Sequence, residues 1–295
     1  MDDAKLPETP EAFSLFGEPL YRVPMRPETL EKQEALYEEA LKDYEEHPED
    51  PDAIIWMGRR TAYLGRYLGA ATIFSTGLEK HPGDPRFYRH RGHRFITLRR
   101  LDLAIDDFEK AATLIEGRPD EVEPDGIPNP RNVPVSSLHF NIWYHFGLAY
   151  YLSGRFEDAL RAYRSCMDVS EIPDKVVATA HWLYMTLRRL GREDEALKVL
   201  ASITSDMDII ENKNYYDCLL MYKGEEEPDA LLEEARGMGA LGLVTTGYGV
   251  ANWFLYNGEE DKATVVFKEI LSTGGWAAFG FIAAEADLKR MSATP

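Results

Sequence analysis

Residues 51–84 read PDAIIWMGRRTAYLGRYLGAATIFSTGLEKHPGD, and residues 85–118 read PRFYRHRGHRFITLRRLDLAIDDFEKAATLIEGR. The second stretch repeats the landmarks of the first at an offset of 34 residues, and the recurring pairs are Gly58 and Gly92, Ala70 and Ala104, and Phe74 and Phe108. A fixed period of this length is typical of proteins in which each repeat is one pair of helices that stacks on its neighbours. The sequence therefore predicts an all-α solenoid.

Further copies of the pattern follow. The third carries Gly147, Ala159 and Tyr163, and it comes after an insertion of 21 residues, 119–139. Later copies are weaker. The turn between the two helices of a pair is marked by a glycine, and these glycines are Gly65, Gly154, Gly191, Gly224 and Gly258. Small residues such as Gly58 and Ala70 let the two helices of a pair approach closely, and Phe74, Phe108 and Tyr163 are expected to fill the remaining space.

The recurring glycine, alanine and aromatic residues resemble the sequence pattern of the tetratricopeptide repeat family. Residues 140–173 match its pattern best, with the following residues at the family's positions: Trp143, Phe146, Gly147, Tyr150, Ala159, Tyr163 and Cys166. Arg91 departs from the pattern, because the family has Leu there, and we expect it to pair internally with a carboxylate. A looser resemblance links the chain to uncharacterised bacterial members of the family, which are often exported.

The resemblance implies an α-α superhelix of about five to six helix pairs with N- and C-terminal capping helices. The expected organisation is an extended segment 1–27, a capping helix 28–50 and a solenoid 51–295. The repeats are expected at 51–84, 85–118, 140–173, 177–210, 211–243 and 244–274. A closing C-terminal helix is expected at 276–291.

Composition excludes several classes of protein. The chain has 295 residues with 33 Lys or Arg against 51 Asp or Glu, a net charge of −18, and this argues against a nucleic-acid partner. Two cysteines are too few for a disulfide-built scaffold. No apolar run is long enough for a bilayer, so we expect no membrane insertion. The N-terminus as written lacks a signal peptide, so the expected compartment is cytoplasmic for the sequence as written and periplasmic or exported if a natural signal peptide was removed; the sequence alone does not separate these two expectations.

A basic region lies inside this acidic chain. Residues 51–118 contain 12 basic and 8 acidic residues, whereas residues 1–50 contain 5 and 15. The resemblance implies that the first helix of each pair lines a concave groove. The residues expected to contact a ligand there are Arg59, Arg86, Arg89, His93, Tyr144, Tyr151, His181 and Arg188. Arginine suits forked recognition of carboxylates, and tyrosine supplies amphipathic contact area.

The sequence thus favours a non-enzymatic scaffold that binds a protein or peptide segment, acidic or extended, in a basic and aromatic groove. One alternative is a small-ligand-binding or catalytic pocket closed by the proline-rich loop 119–139, which we expect to contact the basic helix 86–100. A second alternative is a structural protein that self-assembles. The carboxylate-clamp pattern of the family's chaperone adaptors is not met, since Ala178 and Trp182 stand where basic residues are required.

Catalytic and metal motifs are weak. The run Gly237–Gly242 spells a dinucleotide fingerprint, but it follows an amphipathic helix and is expected to be a helix end and turn. His90 and His93 are too few for zinc, which takes three or four convergent ligands. Cys166 is expected to be buried and inert. We expect no catalytic residues, no metal and no cofactor.

Overall fold

The computed structural model describes residues 9–293 of the chain and divides into two compact units, residues 1–118 and 119–295. The fold is all-α: consecutive helices pack side by side as antiparallel pairs, and the described part of each unit is helical apart from short turns, loops and one small hairpin. No helix between residues 9 and 293 is long and apolar enough to span a bilayer.

The first unit begins with a small hairpin of β1 (Ala12–Phe13) and β2 (Pro19–Leu20), where the sequence predicts only an extended segment. Five helices follow: α1 (Pro27–Glu46), α2 (Pro51–Tyr63), α3 (Tyr67–Lys80), α4 (Pro85–Thr97) and α5 (Leu101–Ile115). An Asp-Pro pair starts each of α2 and α4. Asp50 and Asp84 cap the free backbone N–H groups of Asp52 and Arg86, both at 2.9 Å, and the proline that follows fits the first helical position.

The second unit starts with the insertion, in which Val122 and Ser137 form an isolated bridge. Its helices are α6 (Leu138–Leu152), α7 (Phe156–Asp168), α8 (Pro173–Arg189), α9 (Glu193–Val199), α10 (Lys213–Tyr222) and α11 (Pro228–Gly237). They are followed by α12 (Ala240–Gly242), a π-helical segment (Leu243–Gly247), α13 (Tyr248–Tyr256), α14 (Glu260–Ser272) and α15 (Phe279–Ala293). The helix α9 is short, and residues 203–212 after it are not helical.

An aromatic ring seated on a glycine joins the helices of each well-matched pair. A methyl group on Gly58 would overlap with the ring of Phe74, and one on Gly147 would lie 2.7 Å from the ring of Tyr163. Gly92 meets Phe108 in the same way at 2.9 Å. The expected close approach of the paired helices is therefore confirmed.

The turns inside the pairs need a left-handed backbone. The expected turn glycines have φ between +70° and +85°, and they are Gly65, Gly154, Gly191, Gly224 and Gly258. In the second pair Arg99 takes this place with φ +60°, an unusual conformation for a residue with a side chain. The run Gly237–Gly242 is a helix end and turn as expected, since α11 ends at Gly237 and Gly239 has φ +78°.

Arg91 and Asp107 form the internal ion pair that the sequence predicts. The guanidinium donates to both carboxylate oxygens, at 2.7 and 2.9 Å, and Ser75 accepts a further hydrogen bond from Arg91 at 3.1 Å. Asp107 is buried, and desolvation raises its pKa although Arg91 opposes the shift. The charge of Arg91, which stands where the family has Leu, is thus balanced inside the first unit.

The Gly58→Ala variant tests the close approach in the first pair. We expect it to lower the free energy of unfolding by about 1–3 kcal/mol, because the added methyl forces the ring of Phe74 out of its place. Gly69→Ala in α3 is the matched control, since its methyl meets the Thr61 side chain at 3.4 Å, an ordinary contact, and alanine favours a helix. Chemical denaturation measures both. Equal stability of the two variants would contradict the interpretation.

Candidate functional site: the inner helices

Four arginines on α2 and α4 gather around one histidine. We call Arg59, Arg86, Arg89, Arg94 and His93 the basic face. Burial, followed by repulsion from Arg89, Arg59, Arg94 and Arg86, holds the pKa of the enclosed His90 well below its ordinary value. Each nearby cation adds to the effect of burial, because it disfavours the protonated ring.

Three of these arginines have contacts on their own helix or close to its start. Arg86 pairs with Asp84 at 2.6 Å and with Asp52 at 2.5 Å, and Asp52 is the only acidic residue on α2 or α4. Arg59 lies over the ring of Trp56, 4.3 Å from its centroid, and Arg89 lies 3.0 Å from Nδ1 of His90. Both Arg59 and Arg89 are only 8% exposed, and His93 is half-buried.

Arg94 belongs to the cluster although it is not among the residues expected to contact a ligand. It stacks over the ring of Tyr67 at 5.4 Å and, within residues 9–293, forms no ion pair with a carboxylate. Burial lowers its pKa to about 10, and the charges of Arg89 and Arg59 add to the shift. The family's groove positions exclude this residue, but its place four residues after His90 puts it on the same face of α4.

The aromatic residues selected in the second unit lie inside it. Tyr144 is buried against Tyr215, with the two hydroxyl oxygens 3.3 Å apart. His181 is fully buried and stacks on Tyr215 and Tyr222, with ring centroids 4.6 and 5.8 Å apart. Tyr151 is also 0% exposed. In this conformation these three side chains present almost no surface to a ligand.

Arg188 lies at the edge of the aromatic cluster. Its guanidinium stacks over Tyr256 at 4.6 Å and pairs with Glu193 at 3.1 Å. It also donates to the hydroxyl of Tyr184 and to the side-chain oxygen of Asn257. These contacts fully explain its position within the second unit.

Burial moves the nucleophilic and basic groups away from reactive protonation states. It raises the pKa of Cys166 to about 12 and that of Cys218 further, so both remain thiols. It lowers the pKa of His181 to about 3, so the imidazole is neutral at pH 7. Among residues 9–293 no group of three or more His, Cys, Asp or Glu side chains could hold a metal ion.

The insertion is anchored to the non-helical segment 203–212. Arg131 forms a forked ion pair with Asp208 at 2.7 and 2.8 Å, and Asn129 donates to Glu211 at 2.7 Å. That segment is held in turn by buried Asp174, whose carboxylate accepts the backbone N–H groups of residues 210–212. At the other end of the loop, Asn141 donates to Glu123 at 3.0 Å.

The family comparison agrees with this geometry. A family model described as tetratricopeptide repeat matches residues 57–121, and a second model of the same description matches residues 140–172. Residues 57–121 and 140–172 therefore carry tetratricopeptide repeats. No curated protein matches it in sequence.

Solved structures with a similar arrangement include YrrB, "a TPR protein with an unusual peptide-binding site", at 16% identity and a TM-score of 0.44, covering 85% of this chain and 97% of that one. MamA is similar at 15% identity and a TM-score of 0.45, covering 69% and 100%. A thermophilic protein of Thermus thermophilus, TTC0263, is similar at 16% identity and a TM-score of 0.42, covering 81% and 100%. Tetratricopeptide repeat proteins are in general non-enzymatic scaffolds for protein interactions.

The buried imidazole of His181 makes the second unit sensitive to acid. The unfolded chain takes up a proton near pH 6.5, whereas the folded chain takes it up only near pH 3, so stability falls as the pH drops below 6.5. Between pH 6 and 4, His181→Gln should reduce this fall by up to about 1.4 kcal/mol per pH unit. Chemical denaturation at each pH measures the free energy of unfolding. His47→Gln is the control: Asp43 raises the pKa of exposed His47, so both states are protonated in this window. An unchanged slope in His181→Gln would contradict the prediction.

Proposed function

We propose that the protein is a scaffold whose first unit binds an acidic peptide segment along the basic face of α2 and α4. Arg94 carries the proposal. A cation withdrawn from water without a carboxylate partner costs free energy, and an anion placed beside it recovers that cost. Arg94 is partly buried and forms no ion pair with a carboxylate within residues 9–293, and its charge is further disfavoured by two neighbouring arginines.

The charge balance of the two helices supports an anionic ligand. The acidic residue that they contain, Asp52, is already paired with Arg86. Neighbouring Arg91 is neutralised by Asp107. Arg59, Arg89 and Arg94 surround His90, and several guanidinium groups at one place could bind the carboxylates of one extended segment.

Arg94→Gln tests the proposal with a fluorescein-labelled oligo-glutamate peptide. We expect wild-type protein to bind this peptide and not an oligo-lysine peptide of equal length, with an affinity that falls as salt is added. Losing one charge-assisted hydrogen bond should raise the Kd about tenfold in Arg94→Gln. Fluorescence anisotropy measures the Kd.

Arg100→Gln provides the control, because Arg100 is an exposed arginine of the same unit and the same charge is lost. An equal rise in Kd for the two variants would mean that the peptide responds to net charge alone. Absence of binding to wild-type protein, with the helical content intact, would overturn the proposal.

A further inference from the structure

A cleft opens between α1 and α2 in the first unit. Its volume is about 460 Å³, which lies within the range of roughly 300–1,000 Å³ that small-molecule sites occupy. All of the residues that line it lie between Leu36 and Arg60, and none of them belongs to the basic face. The cleft is therefore a separate candidate site, built from the capping helix α1 and the helix that follows it.

One wall of the cleft is a row of carboxylates. Glu39, Asp43 and Glu46 line it from α1, and their spacing of four and three residues places them on one face of that helix. The partners of two of them are exposed: His47 lies 3.0 Å from Asp43, and Lys42 lies 3.9 Å from Glu46. Exposed pairs of this kind contribute little free energy, so a ligand can replace them. Glu39 forms no ion pair with any other residue of 9–293.

The opposite wall carries a guanidinium. Trp56 and Arg60 line it from α2, one helical turn apart, and the guanidinium lies over the indole ring, 4.9 Å from its centroid. Burial lowers the pKa of Arg60, and the negative charge of Glu39 opposes that shift, so these two side chains are near enough to interact. A guanidinium stacked on a ring keeps five N–H donors in its own plane, and this geometry suits a carboxylate.

The deeper part of the cleft is apolar. Ala40 is buried, and Leu36 and Trp56 are half-buried, whereas the carboxylates of α1 are exposed. A ligand with an apolar part would remove these side chains from water, which is favourable.

The charges of the two walls indicate the class of ligand. A purely anionic molecule would lie beside three carboxylates, and a purely cationic one would lie beside Arg60 and Lys42. Like charges at short range repel, so each of these molecules would be disfavoured at one wall. A zwitterion meets an opposite charge at both walls.

We infer that the cleft between α1 and α2 binds a small zwitterion of amino-acid size with an apolar side chain. The ammonium group of this ligand pairs with Glu39, and its carboxylate accepts hydrogen bonds from Arg60. Its side chain lies against Leu36, Ala40 and the indole of Trp56. This site and the basic face do not depend on each other, so either can fail without the other.

Three ligands that share one ring test the inference on the wild-type full chain by isothermal titration calorimetry. They are L-phenylalanine, N-acetylphenylalanine, which lacks the ammonium, and phenylalanine amide, which lacks the carboxylate. The amino acid should bind at least about tenfold more tightly than either analogue, because each analogue loses one charge-assisted hydrogen bond. L-Leucine and its two corresponding analogues repeat the test with a smaller side chain.

Each other result overturns the inference. If the amide binds as tightly as the amino acid, the cleft selects a cation, and if the N-acetyl analogue does, it selects an anion. If neither phenylalanine nor leucine binds, the cleft is not a site for this class of ligand.

Glu39→Gln and Arg60→Gln assign the two charges of the ligand to the two walls. Glu39→Gln should remove the preference for the amino acid over its N-acetyl analogue and keep the preference over the amide. Arg60→Gln should do the reverse. Damage to the fold would lower the affinity for all three ligands, so this crossed pattern separates recognition from a structural effect.

Glu38→Gln and Arg100→Gln are the matched controls, because both residues are exposed in the same unit and neither lines the cleft. Both variants should keep both preferences, with the circular dichroism of the wild type. If they change the preferences as much as Glu39→Gln and Arg60→Gln do, the ligands respond to net charge alone and the inference is wrong.

Discussion

The seating of an aromatic ring on a glycine is the interaction on which the helix pairs depend. The ring of Phe74 on Gly58, and the equivalent contacts in the next two pairs, fix how closely two helices lie. That separation leaves no room for a side chain at the glycine, so the two positions constrain each other. Because neighbouring pairs then stack on the surfaces so formed, the packing of the first unit and of α6 with α7 follows from this repeated contact.

The first helices of the pairs, which we call the inner helices, carry different side chains in the two units. In the first unit these helices carry arginines, and the ion pairs of Arg86 and Arg91 balance part of their charge. In the second unit they carry tyrosine, tryptophan and histidine rings, which stack on one another, and they enclose α15. A family defined by helix packing therefore leaves the chemistry of the inner face open, and that chemistry is set by residues outside the repeat pattern.

The all-α repeat fold could be predicted because a recurring Gly, Ala and aromatic residue at fixed spacing has one packing solution. The turn glycines and the Arg91–Asp107 pair were predictable for the same reason, since each satisfies a local requirement. The candidate site was harder to predict from the sequence. Groove positions taken from the family give Tyr151 and His181, whose burial depends on contacts between residues far apart in sequence. Arg94 was missed because its environment is set by Arg89, Arg59 and Tyr67 together.

The contact between α6 and α15 also affects the order in which the protein can be built. Helices of the first unit contact mainly their sequence neighbours, so each pair can form soon after the ribosome has made it. In the second unit the hydroxyl of Tyr151 and the backbone of Leu152 find their partners only when residues beyond 240 have been synthesised. During translation, part of the surface of α6 therefore stays exposed while more than half of the second unit is still being synthesised. In this interval the nascent chain most needs protection from aggregation.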